Sequence, residues 1–129
     1  MMYTITMTIR GECDENKNGG YKTNLACGSY QKNFTGDMTE TTLGRACLQA
    51  IIAGLEAITA KNKVNLKIVS SSGYVAKGLK NYTTWKANNW TTMRDGHDVA
   101  NKDQWQIISD LISSKVEKLS FQKIGNEWT

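Results

Sequence analysis

From Tyr3 to Arg10 the chain alternates without a slip, with Tyr3, Ile5, Met7 and Ile9 on one side and Thr4, Thr6, Thr8 and Arg10 on the other. A period of two belongs to a strand with one buried and one wet face. Asp14 to Gly20, rich in Asn and Gly, is a turn leading into a second strand near Tyr21 to Gly28 and a third near Ser29 to Thr35, which ends at Gly36 and Asp37. The period then changes. Leu48, Ile51, Ile52, Leu55 and Ile58 recur at helical spacing, with Thr41 or Thr42 as the cap and Lys61 and Asn62 as the stop.

Val64 to Ser70 is the next strand, followed by short helical pieces over Ser72 to Leu79 and Tyr82 to Asn88 and a loop over Arg94 to Asp98. Asn101 or Asp103 can cap a last helix carrying Trp105, Ile108, Leu111 and Ile112, and Glu117 to Ile124 closes the pattern as a strand. The order βββαβααβ predicts an α/β domain whose five-stranded mixed sheet joins an antiparallel meander to parallel strands.

At 129 residues the chain is expected to form a single domain, 1–129, with no repeat, linker or low-complexity tract. Three cysteines without paired spacing and a lone His97 support neither a disulfide framework nor a zinc site. No stretch approaches membrane length. A soluble, cytoplasmic protein is the expectation.

Charge sharpens this picture. The net +4 is modest, yet no acidic residue falls between Glu56 and Asp95, while Lys61, Lys63, Lys67, Lys77, Lys80, Lys86 and Arg94 all do. Such a stretch attracts polyanions, because each phosphate neutralised releases counterions. A solvated surface is the other reading.

Several short segments, taken in order, carry a resemblance. They are Ile9-Arg10-Gly11-Glu12-Cys13, Gly19-Gly20-Tyr21, Gly44-Arg45-Ala46-Cys47-Leu48, Val69-Ser70-Ser71-Ser72-Gly73-Tyr74-Val75 with Gly78, Trp85-Lys86-Ala87-Asn88-Asn89-Trp90, and Val99-Ala100-Asn101-Lys102-Asp103-Gln104-Trp105. From about Thr4 to Ile124 the chain resembles type I ribonuclease H. The resemblance implies a ribonuclease H-like fold, here degenerate and without the family's final helix. In that family carboxylates on the first strand, the first helix, the fourth strand and a final helix hold two magnesium ions that cut the RNA of an RNA–DNA hybrid.

At the corresponding positions stand Arg10, Cys47 and Ser71, and the chain ends before the fourth. Magnesium demands oxygen ligands, so the metal site is expected to be lost and no cofactor is expected. Glu12 projects to the same side as Arg10, and Cys47, among Leu48 and Ile51, reads as a small core hydrophobe rather than a nucleophile. The expected function is a catalytically inactive domain that binds duplex or RNA–DNA hybrid, with residual ribonuclease H activity as the minority reading. Arg10 either grips a backbone phosphate in place of metal or snorkels at the sheet edge, and Lys67 shares its strand parity with Ser71.

The segment that looks like the family's basic handle mixes Tyr82, Trp85 and Trp90 with Lys80, Lys86, Arg94, Asn88 and Asn89, which supplies stacking faces, phosphate partners and amides. Tyr82, Trp85 and Trp105 can instead pack on each other, which leaves Trp90 as the better candidate for contact. Asn16 matches a turn residue near the hybrid, whereas Leu43 and Gly44 replace the family's contacting asparagines. The threonine face of the first strand is read as open, either solvated or docked on a partner protein or a second copy, with Trp128 as an anchor. That keeps an interaction module, or an inhibitor of a nucleic-acid-processing complex, as a second reading.

Overall fold

The computed structural model describes residues 3–92 and 96–125. The alternating amino-terminal segment becomes β1 (Thr4–Cys13), which sits at the middle of the sheet because Met7 and Ile9 bury completely against the helices. β2 (Gly19–Cys27) and β3 (Tyr30–Met38) run back and forth beside it, and β4 (Val64–Ser70) and β5 (Val116–Lys123) run parallel to it on the other side. The order across the sheet is β3-β2-β1-β4-β5, with β1–β4 and β4–β5 parallel and the meander antiparallel. This is the five-stranded mixed sheet expected.

Helix α1 (Leu43–Ala57) starts at Thr42, whose hydroxyl accepts from the Arg45 N–H at 3.2 Å, and turns Leu48, Ile51 and Leu55 onto β1 and β2. It ends at Ile58, short of the expected stop at Lys61. There Ile58 turns to extended backbone, and the end carbonyls of Leu55 and Ile58 are taken up by Lys115 Nζ from elsewhere in the chain, at 2.8 Å each. A buried hydroxyl ties helix to sheet, with Thr23 Oγ1 donating to the Ala50 carbonyl at 2.6 Å.

Two short helical pieces were expected after β4, but one continuous helix forms, α2 (Gly73–Ala87), capped by Ser72. No proline or glycine pair interrupts it, and Gly78 sits beneath the indole of Trp105. Helix α3 (Lys102–Lys115) buries Trp105, Ile108 and Ile112 in the same core. The opposite sheet face carries Thr6, Thr8 and Arg10 of β1, Asn65 and Lys67 of β4, and Asn24 and Asn33 of the meander, the last two hydrogen-bonded at 2.8 Å. It is polar and half-exposed, as the threonine stripe required.

Candidate nucleic-acid interface and active-site cleft

Where β1 and β4 cease to pair, after Thr8 and Val69, the chains diverge and open a cavity of about 440 Å³. Arg10 and Gly11 come from β1, Leu43 and Cys47 from the start of α1, and Ser71, Gly73 and Tyr74 from the β4–α2 turn. Arg10, Cys47 and Ser71 therefore converge on one cleft.

Gly11 allows the convergence. A Cβ there would lie 2.8 Å from both the backbone nitrogen and the sulfur of Cys47, so β1 touches α1 with nothing between. Cys47 is 4% exposed, and burial pushes its thiol up from the ordinary value, only partly offset by hydrogen bonding with the Gly11 backbone and the Ser72 side chain. It is the core hydrophobe expected. Arg10 lies 3.4 Å from the Glu12 carboxylate on the same strand face, so the cleft is lined by a positive group whose neighbouring acid on β1 lies outside the lining.

The α2 turn is held from within. Ser70 Oγ accepts from the Ser72 N–H at 3.0 Å, and Ser72 Oγ accepts from the Val75 N–H at 3.1 Å, so the first turn of the helix, which lines the cleft at Gly73 and Tyr74, is capped by its own serines. Tyr74 closes one wall. Its hydroxyl accepts from Asn101 Nδ2 at 2.8 Å and Trp105 Nε1 at 3.1 Å, and its ring lies over Gly44, where a Cβ would sit 3.2 Å from it. Asn101 occupies the cap position of α3 but makes no side-chain cap, because its amide is spent on Tyr74 and on Arg45, at 3.1 Å. Tyr74 and Arg45 were missed as site-shaping residues, since their partners lie far away in sequence.

The expected handle residues separate. Trp105 is fully buried, with Tyr82 stacked on it at 6.3 Å and Trp85 edge-on at 5.7 Å, and burial raises the Tyr82 phenol above its ordinary value. Trp90, expected to meet the ligand, is only 9% exposed; its ring packs in the core, and its backbone N–H donates to the Trp85 carbonyl at 2.7 Å. Lys86 and Asn89 are exposed at the far end of α2, whereas Asn88 is half-buried and donates to the Thr84 carbonyl at 2.8 Å. Lys80 points away from that tip, into a groove beside β5. Lys67 shares the sheet face of Arg10 but does not line the cleft, and Asn16 is exposed in a turn whose amides bond to Asp14 Oδ1 at 2.9 Å. Arg94 and Trp128 fall outside the described residues.

The family described as RNase H matches residues 5–125, so nearly the whole chain is covered. Proteins named ribonuclease H from Ralstonia nicotianae and Syntrophotalea carbinolica are 33% and 37% identical over 86% and 80% of this chain, which spans 73% and 67% of their lengths. One from Dechloromonas aromatica is 34% identical over 92% of the chain and 78% of the relative. Among solved structures, LC9-RNase H1, described as a type 1 RNase H with the type 2 active-site motif, superposes with a TM-score of 0.82 at 13% identity over 99% of this chain and 65% of that one. LC11-RNase H1 in complex with RNA/DNA hybrid superposes at 0.72, with 15% identity over 95% and 86%. The fold is that of the ribonucleases H. The chain belongs to the ribonuclease H family.

This kinship corrects two expectations. An inactive binding domain does not stand against relatives named ribonuclease H at 33% to 37% identity over four-fifths or more of the chain. The expectation that no metal cofactor is used falls with it, because the resemblance that suggested the family is to a metal-dependent one. Arg10, Cys47 and Ser71 do not by themselves make an oxygen-rich cage for hard divalent cations, and no three of His, Cys, Asp or Glu gather among the described residues. Among the described residues no helix is long and apolar enough to cross a membrane.

Proposed function

We propose that this chain is a ribonuclease H that takes an RNA–DNA hybrid across the cleft at the ends of β1 and β4. The observation that carries the reading is the 33% to 37% identity to proteins named ribonuclease H, over spans that take up most of this chain. The likeness to a fold solved with RNA/DNA hybrid supports the polymer.

The chemistry of the cleft suits a phosphodiester. A guanidinium is a planar double donor for phosphate oxygens, and the first amides of α2 add the positive end of a helix. Lys86 and Asn89 stand one helix length away, roughly 20 Å at 1.5 Å per residue, so they fit the second strand of the same duplex. Asn16, Lys67 and Arg94 belong to the same proposed contact set. Glu12 is the carboxylate closest in sequence to the cleft's arginine, and so the first acid to test for a part in cleavage.

The test is cleavage of end-labelled RNA, offered as hybrid, as RNA duplex and as single strand, across a magnesium and a manganese titration. The hybrid is expected to be cut and the other two spared, with Glu12→Gln lowering turnover and Arg10→Ala weakening hybrid binding. Hybrid that is bound but left intact at every divalent concentration would overturn the reading.

A further inference from the structure

β5 is the outer strand of the sheet, paired with β4 on one side only. Beside it, under α2, runs a groove of about 750 Å³ that meets the cleft only at Gly73 and runs along β5 away from it. Leu119 and Phe121 of β5 and Leu79 of α2 give it an apolar floor and are only partly buried. Lys77, Lys80 and Lys123 rim it, all exposed, and no carboxylate lines it among the described residues.

We propose that this edge and groove form a docking site for an extended acidic segment of a partner protein. A strand laid along β5 would use the backbone donors and acceptors that an edge strand leaves unpaired. Side chains two apart on that strand point the same way, so alternate apolar residues reach Leu119 and Phe121 while flanking carboxylates meet the lysine rim. The charge selects the occupant. Lys77, Lys80 and Lys123 around the groove, with Lys118 against the single acid Glu117 on β5, leave this edge net positive, which favours an acidic segment over a second copy of the same edge. A nucleic-acid strand would satisfy the lysines but not the backbone edge or the aliphatic floor, which favours peptide. The other edge, β3, lacks this rim of lysines over an apolar floor.

The experiment titrates the full chain into a fluorescein-labelled, end-blocked ten-residue peptide alternating Val and Phe with Glu. Three controls accompany it: the same peptide with Lys for Glu, the acidic peptide N-methylated at alternate residues, and a twelve-nucleotide single-stranded DNA as competitor. The acidic peptide is expected to bind and to protect β5 amides from hydrogen exchange. The Lys77→Glu, Lys80→Glu double variant, altered only at exposed positions, should weaken binding about tenfold or more. The Lys and N-methylated peptides should fail. No binding of the acidic peptide, binding unaffected by N-methylation, or stronger occupation by the DNA would each overturn the proposal.

Discussion

Arg45 holds Asp103 with both terminal nitrogens, Nη1 donating to Oδ1 at 3.1 Å and Nη2 to Oδ2 at 2.8 Å, and so joins the start of α1 to the start of α3. The pair belongs to a network. Gln104 Nε2 donates to the Arg45 carbonyl at 3.0 Å, and Asn101 bridges Arg45 and Tyr74. One wall of the cleft therefore rests on a contact between residues 58 positions apart.

The hydrogen bond from Arg45 is the largest cause holding the Asp103 carboxyl below its ordinary value. A depressed folded value means that the contribution is present above the unfolded pKa, about 3.9, and is lost as pH falls through the folded one. Asp103 is 65% exposed, so screening limits the effect to roughly 0.5–1 kcal/mol, the upper part of the surface range. Asp103→Asn should lower the urea midpoint at pH 7 and leave it close to wild type well below the folded value. An undiminished difference in acid would show that geometry rather than charge sets the effect.

Lys115 acts on a helix other than its own. The last turn of α1 carries no basic residue, yet its carbonyls receive the Lys115 ammonium from the end of α3. A cation hydrogen-bonded at a helix carboxyl end, partly buried, stabilises by about 1–2 kcal/mol. Lys115→Met keeps the alkyl stem and removes the donors, so equilibrium denaturation should register a loss of that size. A loss below a few tenths would assign the contact to chance placement.

Two helical glycines separate propensity from packing. On propensity alone, alanine would stabilise both by roughly 1 kcal/mol. A Cβ at Gly54 would meet the Met7 methyl at 2.6 Å and a Thr23 methyl at 2.9 Å, while one at Gly78 would meet the fully buried Trp105 indole. The Met7 methyl is the end of a flexible chain and the Thr23 methyl needs to give only slightly, whereas the overlap with the rigid Trp105 ring is deeper and has no rotamer to relieve it. Gly54→Ala should fall within about 1 kcal/mol of wild type and Gly78→Ala should lose about 1–3 kcal/mol or more. Matched thermal melts check both, and near-equal losses would refute the distinction.

What was legible in the sequence followed from local periodicity. The alternation of Tyr3–Arg10 and the 3.6-residue recurrence of Leu48–Ile58 are short-range signals, and β1 and α1 form over them, although β1 runs on to Cys13 and α1 stops at Ala57, before Lys61. Contacts made over long separations were not legible. Trp90 looked like a ligand-facing aromatic because nothing nearby shows that its backbone turns at a φ of +62° and sends the ring inward. Asn101 looked like a cap because its competing partners, Arg45 and Tyr74, lie on other helices. Three replaced carboxylate positions argued for lost activity, but a substitution at a matched position does not fix the activity of a chain whose relatives are named for it. The lysine-rimmed groove at β5 was invisible, because Lys77 and Lys123 meet only when α2 lies along the edge strand.

Cys47 offers the last check, on the wall between β1 and α1. All three cysteines are free; Cys13 and Cys27 are half-buried, while Cys47 is buried with its thiol pushed up by desolvation. The thiolate is the reactive form, so both access and protonation slow Cys47 at mildly alkaline pH. Cys13 gains some protection from its hydrogen bond to the Thr41 carbonyl at 3.4 Å. Iodoacetamide labelling followed by peptide mass mapping should therefore modify Cys27 first and Cys13 next, with Cys47 modified only at the rate of opening. Gly11→Ala, which forces a Cβ to within 2.8 Å of the Cys47 sulfur, should pry the wall apart and accelerate labelling at Cys47 selectively. Rapid alkylation of Cys47 in the unaltered chain would mean that the cleft floor opens on its own and that the thiol stands within reach of a ligand.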